Sequence, residues 1–114
     1  MAMTPEAKVK KEVVAHLKTL GAYYFYPVTG GYGKSGVPDI IGCYGGKFFG
    51  IECKAGKNKP TPLQEKNLND IKLNQGIALV INETNIDDVL TEIGGKSVNP
   101  DQLEINFEEF VHGV

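Results

Sequence analysis

Two acidic fragments of this chain could do chemistry together. Pro38-Asp39 opens one apolar run, and Glu52-Cys53-Lys54 closes the next. Residues 37–44 and 47–54 both read as strands, rich in Val, Ile, Tyr and Phe. Gly45 and Gly46 between them suit a two-residue hairpin loop with positive φ. With that loop, Tyr44 faces Lys47, and the same register sets Asp39 opposite Glu52. Opposed residues have Cβ atoms about 4.5–5.5 Å apart, where two like charges repel. A hard divalent cation removes the conflict. Mg²⁺ takes oxygen ligands and is usually held by one or two carboxylates plus waters and substrate phosphates. Lys54 shares the face of Glu52 by the period-two alternation of a strand. There a lysine can orient an attacking water or stabilise charge developing on a phosphate. Cys53 points to the other face, but its backbone carbonyl lies between the two carboxylates and is a third candidate ligand. The set predicts metal-dependent phosphodiester hydrolysis. The plainer alternative is an exposed hairpin with a Glu–Lys surface pair, and the register of Asp39 weighs against it.

The rest of the chain must position that hairpin. Residues 5–20 read as a helix, with Val9, Val13, Val14, Leu17 and Leu20 at helical spacing and Gly21 as its end. At about 100° per residue, Glu6 falls near the centre of the apolar stripe and Glu12 on its flank. Glu6 is therefore the glutamate expected to face the sheet, although a carboxylate in the first turn also suits the helix dipole. Residues 22–28 read as a strand, and residues 29–36 as a loop. That loop carries Gly33-Lys34-Ser35, the tail of a phosphate-binding P-loop. The full motif fails, because Val28 stands where its first glycine belongs and Val37-Pro38 follows instead of a helix. Lys34 and Ser35 remain candidate contacts for a nucleic-acid phosphate, set against an ordinary connecting loop. Lys57 and Lys59, just past the acidic hairpin, are candidates of the same kind.

Residues 61–75 read as a second helix, with Thr61 as N-cap, Pro62 in the first position and Gln64 completing a capping box. Residues 77–82 form a near-continuous apolar run, as a buried strand does. Thr84 is expected to cap a short third helix ending at Gly94-Gly95. Residues 96–114 are acidic with interspersed Leu103, Ile105, Phe107, Phe110 and Val111. They fit an edge strand, a turn or packing on a partner chain. Both hairpin faces are apolar, so helices should cover both in a three-layer α/β/α sandwich. The helix at 61–75 is then a crossover between parallel strands 47–54 and 77–82.

At 114 residues the chain is expected to form one domain. Its net charge of −2 is unevenly spread. Residues 1–66 hold ten Lys against five Asp and Glu, a net of +5, and the remainder is net −7. The basic half contains the acidic hairpin, the asymmetry of a nucleic-acid surface on an acidic scaffold. The chain contains no arginine. Arg readout of guanine is thereby excluded, which favours recognition of backbone and shape. No stretch is apolar enough to span a membrane. Lys8, Lys10, Lys11 and Glu12 interrupt any signal-like run, so a cytoplasmic location is expected. The two cysteines, Cys43 and Cys53, fall on opposite faces and should be free thiols.

Gly36-Val37-Pro38-Asp39, Ile51-Glu52-Cys53-Lys54 and Thr61-Pro62-Leu63-Gln64 together resemble the PD-(D/E)XK nuclease superfamily. More narrowly, residues 5–83 resemble the stand-alone VRR-NUC domains of phages and bacteria, with residues 84–114 as a C-terminal extension. The resemblance implies a restriction-endonuclease-like αβββαβ core with a mixed sheet. It implies that Asp39 and Glu52 ligate Mg²⁺ or Mn²⁺ and that Lys54 assists the nucleophilic water. It implies a catalytic glutamate on the leading helix, matched by Glu6 with Glu12 competing, and a catalytic glutamine at Gln64. It further implies a homodimer cutting branched DNA such as a Holliday junction, in a bacterial or phage-infected cell. The alternatives are a sequence-specific restriction-type nuclease and a non-catalytic DNA-binding module of the same fold.

Overall fold

The computed structural model describes residues 3–28 and 33–95. Helix α1 spans Pro5–Leu20. Thr4 caps it through its hydroxyl, which accepts from the Ala7 N–H at 3.1 Å. Gly21 ends it with a left-handed φ of 76°. Three strands follow: β1 at Tyr23–Phe25, β2 at Ile40–Tyr44 and β3 at Lys47–Cys53. Helix α2 at Pro62–Leu73 then crosses to β4 at Ile77–Ile81. The sheet order is β1-β2-β3-β4, antiparallel except for the parallel β3–β4 pair. This is the mixed αβββαβ sheet that the sequence predicts.

The hairpin register is also as expected, with Tyr44 paired to Lys47 and Ile40 to Ile51. Gly45 and Gly46 have φ of 59° and 81°, the two positive values that a type I′ turn demands. The ladder nevertheless stops at Ile40, so the strand expected to begin at residue 37 is shorter. Pro38 has no N–H to donate and is buried instead, and Asp39 lies one residue outside the paired strand. β1 is likewise limited to three residues, with Pro27 unable to extend it.

Alternation along β3 divides the two layers. Phe49, Ile51 and Cys53 face α1 and form one buried cluster with Ile40, Ile81, Val9, Val13 and Leu17. Gly50 and Glu52 face α2. A Cβ on Gly50 would come within 2.7 Å of Ile71 and 2.9 Å of Pro38, so its absence lets the helix sit close. α2 covers β3 and β4 only. Tyr23, Phe25, Cys43 and Phe48 share the α2 face of β1–β3 and stay exposed, so the second helical layer is partial.

Two further expectations are corrected. Thr84 does not cap a helix. Its N–H and hydroxyl both donate to the Asn82 side chain, at 2.8 and 2.6 Å, which closes a local turn. The helical segment begins only after it and is a π-helix at Val89–Ile93. Val89 and Ile93 are buried against α1 and Ile81, so packing continues past the expected core limit at residue 83. The acidic stretch 96–114 lies outside the described residues.

Gly42 is the tightest glycine of the sheet. A Cβ there would meet the Tyr23 carbonyl oxygen at 2.1 Å and the buried Phe49 ring at 2.5 Å. Neither can yield without moving β1 or the core. Gly42→Ala should therefore destabilise the domain by roughly 2–4 kcal/mol, an overpacking cost at the upper end. Urea unfolding checks this, and a change under 0.5 kcal/mol would show the sheet is looser than this geometry.

Candidate active site

Four side chains meet where β3 ends. Glu52 is the penultimate residue of β3, and only 2 % of its surface is exposed. The Asp39 carboxylate turns in beside it, and Asp39 Oδ2 accepts the Cys53 N–H at 2.9 Å. That bond compensates for the ladder position that Asp39 does not occupy. Lys54 follows β3 directly, its own N–H donating to the Ile81 carbonyl at 2.9 Å. Its Nζ lies 4.0 Å from Glu52 Oε1, and its side chain is largely buried.

Gln64 joins from α2. Its Oε1 accepts the Thr61 N–H at 2.9 Å, and Thr61 Oγ1 accepts the Gln64 N–H at 3.2 Å, completing the capping box. This fixes the amide so that Nε2 donates to Glu52 Oε1 at 3.4 Å. Capping and site contact are thus not rivals, because one amide does both with its two ends.

The electrostatics are strained in one direction. Glu52 Oε1 has Gln64 and Lys54 beside it, but Oε2 is buried with no hydrogen-bond partner. The adjacent Asp39 carboxyl could serve it only if one of the two carried a proton. Glu52 is accordingly pushed from its ordinary value near 4.5 up to about 8. Desolvation is the main cause, Asp39 adds to it as a hydrogen-bonding neighbour and as a like charge, and Lys54 opposes. The Cys53 thiol, buried on the opposite face, is pushed up to about 12, again chiefly by desolvation and then by the two carboxylates.

Glu6 is aligned with the buried stripe of α1, yet it is exposed. The buried stripe of α1 begins only at Val9, so Glu6 in the first turn stays outside the core. Its charge still contributes to the upward shifts of Glu52 and Cys53. Glu12 instead lines a separate groove with His16, Asp87 and Asp88. Of the two candidate glutamates, only Glu6 adds to the upward shift of Glu52.

The expected phosphate contacts divide. Lys34 lies 3.9 Å from Asp70 on α2, and Lys66 reaches the same carboxylate at 2.9 Å. The Ser35 carbonyl accepts Asn67 Nδ2 at 3.1 Å. Lys34 and Ser35 are therefore tied to α2. Residues 29–32 lie outside the described residues. Lys57 and Lys59 are exposed on the segment between β3 and α2. Asn67 escaped sequence reasoning. It is buried and also donates to Leu63 O at 2.9 Å, but an Asn inside a helix carries no signal that separates it from a surface residue.

Two carboxylates at the end of a parallel β3–β4 pair, with a lysine and a glutamine at their side, define a restriction-endonuclease-like nuclease core. Comparison with known proteins narrows this. No family model matches the chain. It is 34% identical over 65 residues to "Putative nuclease p44" of Acyrthosiphon pisum secondary endosymbiont phage 1, covering 56% of this chain and 68% of that one. A solved "VRR_NUC domain protein" superposes with a TM-score of 0.59 at 21% identity, over 82% of this chain and 90% of the other. The chain belongs to the family of that phage nuclease, and its fold is that of a VRR-NUC domain. Among the described residues, no helix is long and apolar enough to cross a membrane.

Proposed function

We propose that this protein is a metal-dependent DNA endonuclease acting on branched DNA as a homodimer. One observation carries the metal: a buried glutamate oxygen without a partner, held against a second carboxylate. Asp39 and Glu52 would hold Mg²⁺ or Mn²⁺. Among the described residues no group of three His, Cys, Asp or Glu is placed to hold a metal. The Cys53 backbone carbonyl, waters and substrate phosphates would complete the shell, the usual company of Mg²⁺. Bound there, the cation supplies charge that polarises the phosphate and lowers the pKa of water.

The remaining roles belong to the chain. Lys54 would orient the attacking water and meet negative charge growing on the phosphate. Gln64 would keep Glu52 aimed and offer its amide to the scissile phosphate. Glu6 would act as a further carboxylate. Lys34, Ser35, Lys57 and Lys59 would contact the DNA backbone. Lack of arginine favours backbone and shape over base readout. The exposed strip of Tyr23, Phe25 and Phe48 offers apolar surface to a second copy.

The test is a panel of labelled four-way junction, flap and linear duplex DNA, with Mg²⁺, with Mn²⁺ and with EDTA. Metal-dependent cutting of a branched substrate, with a dimer by light scattering, is the expected result. Cutting at one short sequence in linear duplex would make it a restriction-type enzyme. Binding without turnover would leave a DNA-binding module.

A further inference from the structure

α1 separates two grooves of opposite charge. On one flank, a groove of about 450 Å³ is lined by Glu12, Glu83, Asp87 and Asp88, with His16 bonded to Asp87 at 3.0 Å. On the other flank, a groove of about 400 Å³ runs between α1 and the chain after β1. Ala7 and Ala15 keep it open, Lys10, Lys11 and Lys18 line it, and Tyr26 forms its far wall. Lys10 Nζ sits 4.5 Å above the Tyr26 ring. Among the described residues, no acidic one lines this second groove.

We propose that this lysine groove is a track for the phosphate backbone of the DNA arm leaving the cleavage point. The inference rests on the nuclease reading above and extends it to residues outside the catalytic cluster. Three observations support it. The first is continuity. Ala7, which lines the groove, directly follows Glu6, the helix carboxylate of the proposed site. The second is length. Lys10 to Lys18 spans about 12 Å of helix at 1.5 Å per residue. Each strand of duplex DNA carries one charge per about 3.4 Å of axis. The groove is thus about as long as three to four phosphate steps along the axis, with Lys10 and Lys11 near one end and Lys18 near the other. The third is one-sidedness, because the acidic flank repels the polyanion that the basic flank attracts. Tyr26, half exposed, adds a ring against which sugar or base can rest.

The test compares wild type with Lys11→Gln/Lys18→Gln for binding a labelled four-way junction across a salt series. Both lysines are exposed, so the fold should persist, and thermal unfolding checks that. The double variant should bind at least about tenfold more weakly near 0.1 M salt, with KM rising in parallel. Its log Kd against log salt slope should fall by about two, one per lost phosphate contact. The control Lys47→Gln/Lys72→Gln removes equal charge from the far hairpin and the far end of α2. It should bind and cut like wild type. Unchanged affinity and slope in the groove variant, with wild-type cutting intact, overturn the track and leave the nuclease reading standing. An equal loss in both variants would reduce the effect to net charge and also overturn it. Wild-type protein that neither binds nor cuts the junction would remove both readings at once.

Discussion

Replacing Glu52 by Gln should abolish cutting and make the metal-free protein more stable. The two effects have one cause. Glu52 is buried with one oxygen unpartnered beside Asp39, so its charge is a cost to the fold without a cation. Gln is isosteric. Its carbonyl can keep the Gln64 Nε2 contact, while its amide N–H₂ replaces the orphan oxygen and donates to Asp39. The substitution removes a repulsion and adds a hydrogen bond. At pH 8 a gain of about 1–3 kcal/mol follows, from a net hydrogen bond near 1 kcal/mol and relief of buried charge. At roughly 4 °C per kcal/mol for a domain of this size, the Tm should rise by about 4–12 °C. Cleavage should fall by at least about 10³-fold, some 4 kcal/mol of barrier, since an amide is a poor ligand for a hard cation. Few substitutions of a buried charged residue stabilise, so the combination is diagnostic. A variant that unfolds more easily and still cuts would falsify the assignment of Glu52 as a ligand.

What the sequence foretold was whatever local rules decide. The positive φ of Gly45 and Gly46 sets the hairpin register, and the Thr61–Gln64 capping box sets where α2 starts. The stripe of α1 follows from periodicity alone, whereas β4, expected to be buried, is an edge strand with Val80 exposed and only Ile81 fully buried. What escaped depends on neighbours remote in sequence. Asp39 reaches Glu52 from outside the ladder because Pro38 is drawn into the α2 layer against Gly50, and its carboxylate finds the Cys53 N–H. Glu6 lies on the buried stripe by angle, yet the core ends before its turn does, and no helical wheel records where a sheet stops. Thr84 has the composition of a cap, but Asn82 takes its N–H first. The lysine groove was hidden for a similar reason. Lys10, Lys11 and Lys18 read as a solvated helix face until Tyr26 supplies the opposite wall.

Metal-free stability should fall as pH rises from about 4.5 to about 8, and Mg²⁺ should restore it at the upper end. Glu52 carries a folded-state value raised from 4.5 to about 8. A group raised on folding binds its proton more tightly in the folded state, so the folded protein is favoured wherever that proton is present. The contribution is complete below 4.5, declines through the interval and is gone above 8. At 1.36 kcal/mol per pKa unit the interval from 4.5 to about 8 corresponds to up to about 5 kcal/mol. Most acid-sensitive proteins behave in the opposite way, because their paired carboxylates have lowered values. The same oxygen is offered to the proton and to the cation, so the two must compete. Binding of Mg²⁺ at pH 7 should therefore release close to one proton. Calorimetric titration in buffers of different ionisation enthalpy measures that release directly. The apparent affinity for Mg²⁺ should rise up to tenfold per pH unit below 8 and level off above it. Glu52→Gln should flatten the stability profile and remove the proton release together. A metal-free Tm that is flat or rising between pH 5 and 8 would show that Glu52 is ionised without a cation, and that another group neutralises the Asp39–Glu52 pair.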